Sequence, residues 1–191
     1  MPRLLVVLLC VALCSEVAGA PSIDLFFDLD CTTCSADVQL GVPFTLYIQA
    51  RLEGSAQQGI TGADFRVDGM PAAWLVLSVA PNPLANLNFG NPLAGGATIA
   101  FPSCAGDSSQ CLNLYTCTIV PTSVVASRTL TVRGHPTPVD CHGPCCPYLL
   151  LCDPPLYTQV CVLGGQAILN GPPCTVNVER QTWSRFKSLY R

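Results

Sequence analysis

The sequence predicts an all-β fold, an antiparallel β-sandwich held by disulfides, and three observations support this class. Short apolar segments alternate with polar residues at the period of two that a half-buried strand requires. The chain holds 15 Gly and 17 Pro, and turn-forming clusters of these residues separate the segments. No stretch before residue 182 shows the 3.6-residue apolar period of a helix. Many short strands with frequent turns are typical of a sandwich.

Residues 1–19 have the pattern of a secretory signal peptide. Arg3 supplies the positive start, an unbroken apolar run follows from Leu4 to Cys14, and small residues precede Pro21. Because Pro21 disfavours cleavage directly before it, we expect cleavage after Gly19. A membrane-spanning helix needs about 20 apolar residues, and no stretch of the sequence reaches that length. We therefore expect no transmembrane segment in the mature chain.

The sandwich itself is predicted over residues 20–135. An early strand and a clearer one after Pro43 each alternate apolar and polar residues, with the apolar positions Ile23, Leu25, Phe27, Leu29, and then Phe44, Leu46, Ile48, Ala50, Leu52. Further strands are predicted at Ala63–Val67, Trp74–Val79, Ala97–Phe101, Leu112–Val120 and Arg128–Arg133. The segment Pro81–Gly96 is predicted to be a long loop. Such a loop is either a binding element or a packed connection.

Residues 136–178 are predicted to form a cysteine-rich extension that completes the sandwich. The segment contains six cysteines. Within it, Gly164-Gly165 separates two apolar runs, Val160–Leu163 and Gln166–Asn170, and this spacing predicts a two-residue hairpin.

The chain carries 13 cysteines, of which 11 follow the signal peptide. Such abundance indicates an oxidising location, extracellular or periplasmic, where cysteines pair as disulfides. The expected members are Cys31, Cys34, Cys104, Cys111, Cys141, Cys145, Cys152 and Cys161. Spacing does not determine connectivity, and the simplest hypothesis is local pairing: Cys104–Cys111, Cys152–Cys161, Cys31–Cys34, and Cys141 with Cys145 or Cys146. Eleven is odd, so at least one thiol stays free, joins two chains or contacts another group.

A second hypothesis assigns chemistry to the same cysteines. Cys31 and Cys34 have the C-x-x-C spacing of redox proteins, and the Cys141–Cys146 cluster includes His142. Thiolate and imidazole ligands at these spacings are also typical of zinc sites. The alternative function is therefore an extracytoplasmic thiol redox or zinc-binding protein.

Other functional classes find little support in the composition. The two histidines, His135 and His142, lie in Gly/Pro-rich segments, and no nucleophile-elbow, zinc-protease or phosphate-loop pattern occurs. Asp24, Asp28 and Asp30 fall on one face of the first strand if it stays regular, which is typical of a solvated face. Charged residues make up 11% of the chain, which does not favour nucleic-acid binding. We predict a non-enzymatic protein with no catalytic residues, no cofactor, no metal and no nucleic-acid partner.

The last residues, 179–191, differ from the body in charge and in pattern. Their net charge is +3, whereas residues 20–178 carry −6. Thr182 is a suitable N-cap, and Trp183, Phe186 and Leu189-Tyr190 recur at helical spacing. The pattern predicts either a short basic amphipathic helix or a disordered tail, because a helix of this length is marginal in water.

Two resemblances add to this interpretation. The runs Gly41–Ile48, Gly62–Val67 and Thr129–Val132 resemble a cohesin-type sandwich, which implies an immunoglobulin-like or cohesin-like antiparallel fold. Cohesins bind dockerin helices on a sheet face, so the resemblance also implies a protein partner.

The ending from Thr182 to Arg191 resembles a recurrent tail of uncharacterised exported bacterial proteins. That likeness implies a sorting or docking element for a protein partner or envelope component, carried by Trp183, Phe186, Lys187, Leu189, Tyr190 and Arg191. The sequence thus predicts a secreted β-sandwich module with a structural or binding role, placed through its tail.

Overall fold

The computed structural model describes residues 19–107, 111–124, 126–135 and 146–174. The signal-peptide prediction, apart from residue 19, and the tail prediction lie outside these ranges. The described residues form thirteen strands: β1 (Ser22–Phe26), β2 (Ser35–Ala36), β3 (Phe44–Arg51), β4 (Ile60–Asp68), β5 (Leu75–Pro81), β6 (Leu87–Asn91), β7 (Gly96–Ala105), β8 (Cys111–Val120), β9 (Arg128–Arg133), β10 (Tyr148–Leu151), β11 (Gln159–Cys161), β12 (Leu163–Gly164) and β13 (Gln166–Leu169). A short 3-10 helix spans Gly54–Ala56.

The strands build two sheets, which confirms the predicted all-β sandwich. The first sheet has the order β12-β1-β3-β8-β5. The second has the order β11-β10-β4-β9-β13-β2, and β7 adds to β4 while β6 adds to β7. Most neighbours are antiparallel, as predicted, but β1 with β12 and β13 with β2 are parallel pairs.

The core lies between the sheets and follows the alternation of apolar residues in each strand. In β3 the side chains of Leu46, Ile48 and Ala50 are fully buried, as the period of two predicts. From the other sheet, Phe65 and Ile99 face them. The two sheets pack face to face because each sheet is apolar on one face only.

The first strand ends earlier than the alternation predicts. β1 stops at Phe26, because Asp28 starts a tight turn in which its carboxylate accepts the Thr32 amide at 2.9 Å. The Phe27 amide also donates to the Thr33 carbonyl at 2.7 Å. Leu29, predicted to be buried, is therefore exposed.

The predicted hairpin around Gly164-Gly165 is wrong. The residues before and after these glycines do not pair with each other: β11 pairs with β10, and β13 pairs with β9 and β2. The glycines sit where the chain crosses from the first sheet to the second. A side chain at Gly164 would collide with the Val132 backbone and one at Gly165 with Asp24, so close approach explains both glycines.

Candidate binding edge of the sandwich

The segment from Gly69 to Gly106 contains no Asp, Glu, Lys or Arg. It forms β5, β6 and β7, and exposed apolar side chains occur on β5, on β6 and in the link between them. These side chains, between 42% and 67% exposed, are Leu75, Leu77, Leu84, Leu87 and Phe89. We call Leu75–Asn91 the β5–β6 edge. Part of it is the Pro81–Gly96 segment, which the sequence predicts to be a loop and which in fact contains the strand β6.

Strand β5 is the last strand of the first sheet. It pairs with β8, and among the described residues no strand pairs with its other side. The register shifts between Val76 and Ser78, which marks a β-bulge. Soluble proteins usually protect such an edge with lysines or other charges, because its unpaired amides and carbonyls accept a further strand. β5 has a bulge but no charge.

Strand β6 ends the branch of the second sheet that runs through β7. Leu87 lies opposite Ala100 and Phe89 opposite Thr98 in this antiparallel pair. Since these partners are small, they do not cover the two large apolar side chains. The Phe89 ring is consequently 62% exposed.

Polar side chains hold the two edge strands in place. Asn82, in the link between them, donates from Nδ2 to the Asn113 carbonyl at 2.6 Å and accepts the Leu84 amide at 2.9 Å. On β6, Asn88 Oδ1 accepts a hydrogen bond from the Tyr115 hydroxyl. The edge is thus tied to β8 by two asparagines, while its leucines and Phe89 remain exposed.

The Tyr115 side chain connects this edge to the core. Its ring packs edge-on against Phe65, with centroids 5.9 Å apart. Burial, with a smaller electrostatic contribution from Cys117, raises the pKa of Tyr115 to about 12. The hydroxyl therefore stays protonated and keeps donating to Asn88 at neutral pH.

The predicted disulfide residues are joined differently from the local hypothesis. The structure pairs Cys31 with Cys111, Cys34 with Cys174, Cys104 with Cys152, and Cys146 with Cys161. The local pairings Cys104–Cys111, Cys152–Cys161, Cys31–Cys34 and Cys141–Cys146 are wrong. The physical reason is sheet topology, which places segments 80 or 140 residues apart in the sequence side by side. Cys141 and Cys145 lie outside the described residues.

These disulfides engage most of the described cysteines on which the redox and zinc hypotheses depend. Cys31 and Cys34 each bind a distant cysteine, so the C-x-x-C spacing does not form one redox pair. Cys146 is likewise bonded to Cys161. Within the described ranges no three His, Cys, Asp or Glu side chains are grouped to hold a metal ion. His142, in the proposed cluster, lies outside those ranges.

The free thiol in the described part of the chain is Cys117, on β8. It is fully buried in the core, and burial raises its pKa to about 12. A thiol that is protonated and shielded from solvent is unreactive. Cys117 is therefore a core residue rather than a nucleophile.

The three carboxylates near the N-terminus do not share a face. Asp24 pairs with Arg51 at 3.2 Å and accepts the Ser22 hydroxyl at 2.6 Å, while burial raises its pKa. Burial also acts to raise the pKa of Asp28, but hydrogen bonds from Thr33 and Thr32 outweigh it and lower the pKa. Asp24 and Asp28 thus have separate structural partners, and Asp28 and Asp30 lie beyond the end of β1.

Sequence reasoning missed the polar groups of the edge, Asn82, Asn88 and Tyr115. The available signal was the absence of charge from Gly69 to Gly106, which is unusual for a stretch that includes two edge strands. The predicted tail-docking residues, Trp183, Phe186, Lys187, Leu189, Tyr190 and Arg191, lie outside the described residues. No helix in the described part of the chain has the length and apolar character to cross a membrane.

No protein-family model matches the sequence, and no curated protein matches it. Solved structures are similar in fold. A cohesin module from the family 33 glycoside hydrolase of Clostridium perfringens gives a TM-score of 0.53 over 80% of this chain and 95% of the module, at 9% identity. The sixth cohesin of scaffoldin B from Acetivibrio cellulolyticus, solved with a mutant Cel5 dockerin, gives 0.51 over 81% and 100%, at 14% identity. These comparisons confirm the cohesin-like architecture of the sandwich.

Proposed function

We propose that this chain is an exported, non-enzymatic module that binds another protein through the β5–β6 edge. One observation carries the proposal: two consecutive edge strands expose leucines and a phenylalanine in a segment without any charged residue. Several large apolar side chains exposed in one uncharged segment favour an interaction site over an ordinary solvated surface. An edge strand without charges is also a template for pairing with another chain.

The chemistry of the edge favours binding over catalysis. Its polar side chains are amides and one serine, and Asn82 and Asn88 are already engaged in holding the strands. Nothing in Leu75–Asn91 titrates near neutral pH or acts as a nucleophile with a paired base. The cohesin neighbour solved with a dockerin is an example of this fold in a protein complex.

The partner that fits this edge presents an extended apolar segment. Such a segment can add to β5 as a further antiparallel strand, with main-chain hydrogen bonds for affinity and apolar side chains for specificity. Pro81 lacks an amide hydrogen, so the pairing ends at Ala80. A charged segment is disfavoured, because no residue of the edge offers an opposite charge.

Export and placement through the tail belong to the same proposal. Four disulfides in the described residues are typical of an oxidising compartment outside the cytoplasm. The signal-peptide pattern of residues 1–19 agrees with that location. The tail residues Trp183 to Arg191 then serve to sort the module or to dock it on a protein or envelope component.

The binding role is tested with charge substitutions at the edge. Mature protein with Leu77→Lys and Phe89→Lys is compared with wild type and with Leu156→Lys, an equally exposed leucine between β10 and β11. Each is immobilised and exposed to the extracellular proteins of the source organism. We expect a partner retained by wild type and by the Leu156 variant, and reduced at least tenfold by the edge variant. Equal retention by all three proteins would contradict the proposal.

A further inference from the structure

The main-chain groups of β8 show which side of β5 each residue bonds to. In an antiparallel sheet, the amide and carbonyl of successive residues turn alternately to one neighbouring strand and to the other. On the side of β3, the Pro121 carbonyl accepts the Gly41 amide at 2.8 Å. On the side of β5, the Leu114 carbonyl accepts the Asn82 amide at 2.8 Å. The even-numbered residues of β8 therefore bond to β5, and the odd-numbered ones bond to β3.

This alternation leaves two residues of β5 with main-chain groups that face away from β8. Three residues lie opposite even-numbered residues of β8 and bond to it: Leu75, Ser78 and Ala80. Val76 and Val79 lie opposite odd-numbered residues, so they turn amide and carbonyl to the open side of the strand. The two valines are three positions apart, because Leu77 is the extra residue of the bulge. In a regular strand, such residues are two positions apart.

We infer that the segment that pairs with β5 is β5 of a second copy of this chain, antiparallel about a two-fold axis. The inference rests on the proposed function and names the partner of the β5–β6 edge. A regular strand offers bonding residues two positions apart, so it matches Val76 or Val79 but not both. A second β5 has the same bulge and the same spacing. Val76 of each copy then meets Val79 of the other, and each pair exchanges both of its N–H···O bonds.

The side chains of β5 agree with this register. From Leu75 to Ala80 the exposure reads the same in both directions: the two valines are half-buried and the other four residues are exposed. Residues directly opposite each other in a sheet share a face, and this register places valine opposite valine. Leu75 lies opposite Ala80 of the other copy and Leu77 opposite Ser78, so each leucine meets a small side chain. A shift by one residue would place an exposed residue opposite a half-buried valine.

The ends and the charge of β5 also fit pairing with itself. Pro81, which has no amide hydrogen, lies beyond the paired residues. A charge on β5 would lie close to its own copy across the axis, where like charges are destabilising, and β5 has none. The other strands that end a sheet in the described part of the chain do not offer this match. β6 pairs with β7 without a register shift, and β2, β11 and β12 have only two or three residues.

Sedimentation equilibrium of the full mature chain, with its disulfides intact, tests the inference. A single strand pair is a small interface, so we expect a monomer–dimer equilibrium with a dissociation constant of about 10–100 μM. Leu77→Lys and Leu77→Glu each place like charges beside the axis, and each variant alone should raise that constant about tenfold or more. An equimolar mixture of the two variants brings opposite charges together and should restore the dimer. Leu156→Lys and Leu156→Glu, at a leucine that is 78% exposed between β10 and β11, should dimerise like wild type.

Hydrogen exchange, followed by NMR at low and high protein concentration, locates the contact. The amides of Val76 and Val79 face water in the monomer, so their exchange should slow about tenfold or more when the dimer forms. The amides of Ser78 and Ala80 are bonded to β8 at every concentration, and their exchange should change little. Equal slowing of all four amides would show that the whole strand is stabilised rather than paired, and would contradict the inference.

Three results would overturn the second copy as partner. A wild type that stays monomeric at about 1 mM excludes a useful self-association. A dimer that survives both Leu77 variants has its contact elsewhere. A mixture of the two Leu77 variants that stays monomeric rejects the symmetric register. The proposed function fails separately: it survives any of these results if the Leu77 and Phe89 lysine variant still loses a different protein, and it falls if that variant retains partners as wild type does.

Discussion

The outer face of β1 and β3 and the β5–β6 edge both carry apolar side chains, but only those of the first region are shielded from water. Over β1 and β3, residues 27–34 form a covering loop that two disulfides, Cys31–Cys111 and Cys34–Cys174, fasten down. Phe26 lies buried beneath it, with the Arg51 guanidinium 5.2 Å from the ring centroid. At the edge, comparable side chains are exposed, and no cysteine occurs between Cys34 and Cys104.

The covered face also shows what such a loop does to polar residues. Alternation along β3 predicts that Gln49 faces water, yet it is fully buried and donates to the Leu29 carbonyl at 3.2 Å. One loop and two disulfides therefore cover this apolar face. The β5–β6 edge has neither a covering loop nor a disulfide, and this contrast supports the proposal that another protein covers it.

We expect the largest loss of stability when a disulfide of the covered face is removed. Replacing Cys34 and Cys174 by alanine removes a bond that spans 140 residues, and we expect the free energy of unfolding to fall by about 4–5 kcal/mol. The matched control replaces Cys146 and Cys161, which are 15 residues apart and should cost about 3 kcal/mol. Denaturant unfolding without reductant measures both. A larger loss from the short bridge would show that loop length does not govern stability here.

Replacing one phenylalanine in each region compares their contributions to the free energy of unfolding directly. Phe26→Ala should lower the free energy of unfolding by about 3–4 kcal/mol, because it leaves a cavity under the covering loop. Phe89→Ala should change it by less than about 0.5 kcal/mol, because the ring is mostly in water. Thermal and denaturant unfolding provide both values. A loss above about 2 kcal/mol at Phe89 would make the edge a packed structural element and remove the contrast.

The smallest expected effect concerns the polar contact behind the edge. Tyr115→Phe removes the hydrogen bond to Asn88 and should cost about 1 kcal/mol at pH 7, whereas Tyr157→Phe in an exposed turn should cost nothing measurable. The free energy of unfolding should also depend on pH, and the sign of that dependence follows from the pKa of Tyr115. Tyr115 releases its proton at an ordinary pKa of 10.0 when unfolded and at about 12 when folded, so stability falls as the pH rises from 10 to 12.

Denaturant unfolding at pH 9, 10 and 11 measures this loss. The Tyr115→Phe variant should lose stability less steeply than wild type over that interval. Some slope remains, because burial raises the pKa of the Cys117 thiol in the same direction. An identical slope in both proteins would show that the Tyr115 hydroxyl is not buried.

The fold class and most strands follow from the sequence, because the alternation that marks a strand is a property of neighbouring residues. β3, β8 and β9 match their predicted segments closely. The short strands β2 and β10 were missed, because two to four residues carry too little periodicity to be recognised. β6 was missed for another reason: both of its large apolar side chains face outward, so no buried face marks it.

The sequence by itself determined a cysteine-rich β-sandwich, together with a segment that carries no charge. Only the tertiary structure decided which cysteines meet, that Gly164-Gly165 marks a change of sheet, and that the uncharged segment lies along two open edges. The physical reason is the range of the interactions. Alternation and turns depend on residues a few positions apart, whereas disulfide partners and sheet edges depend on how strands distant in the chain are ordered side by side.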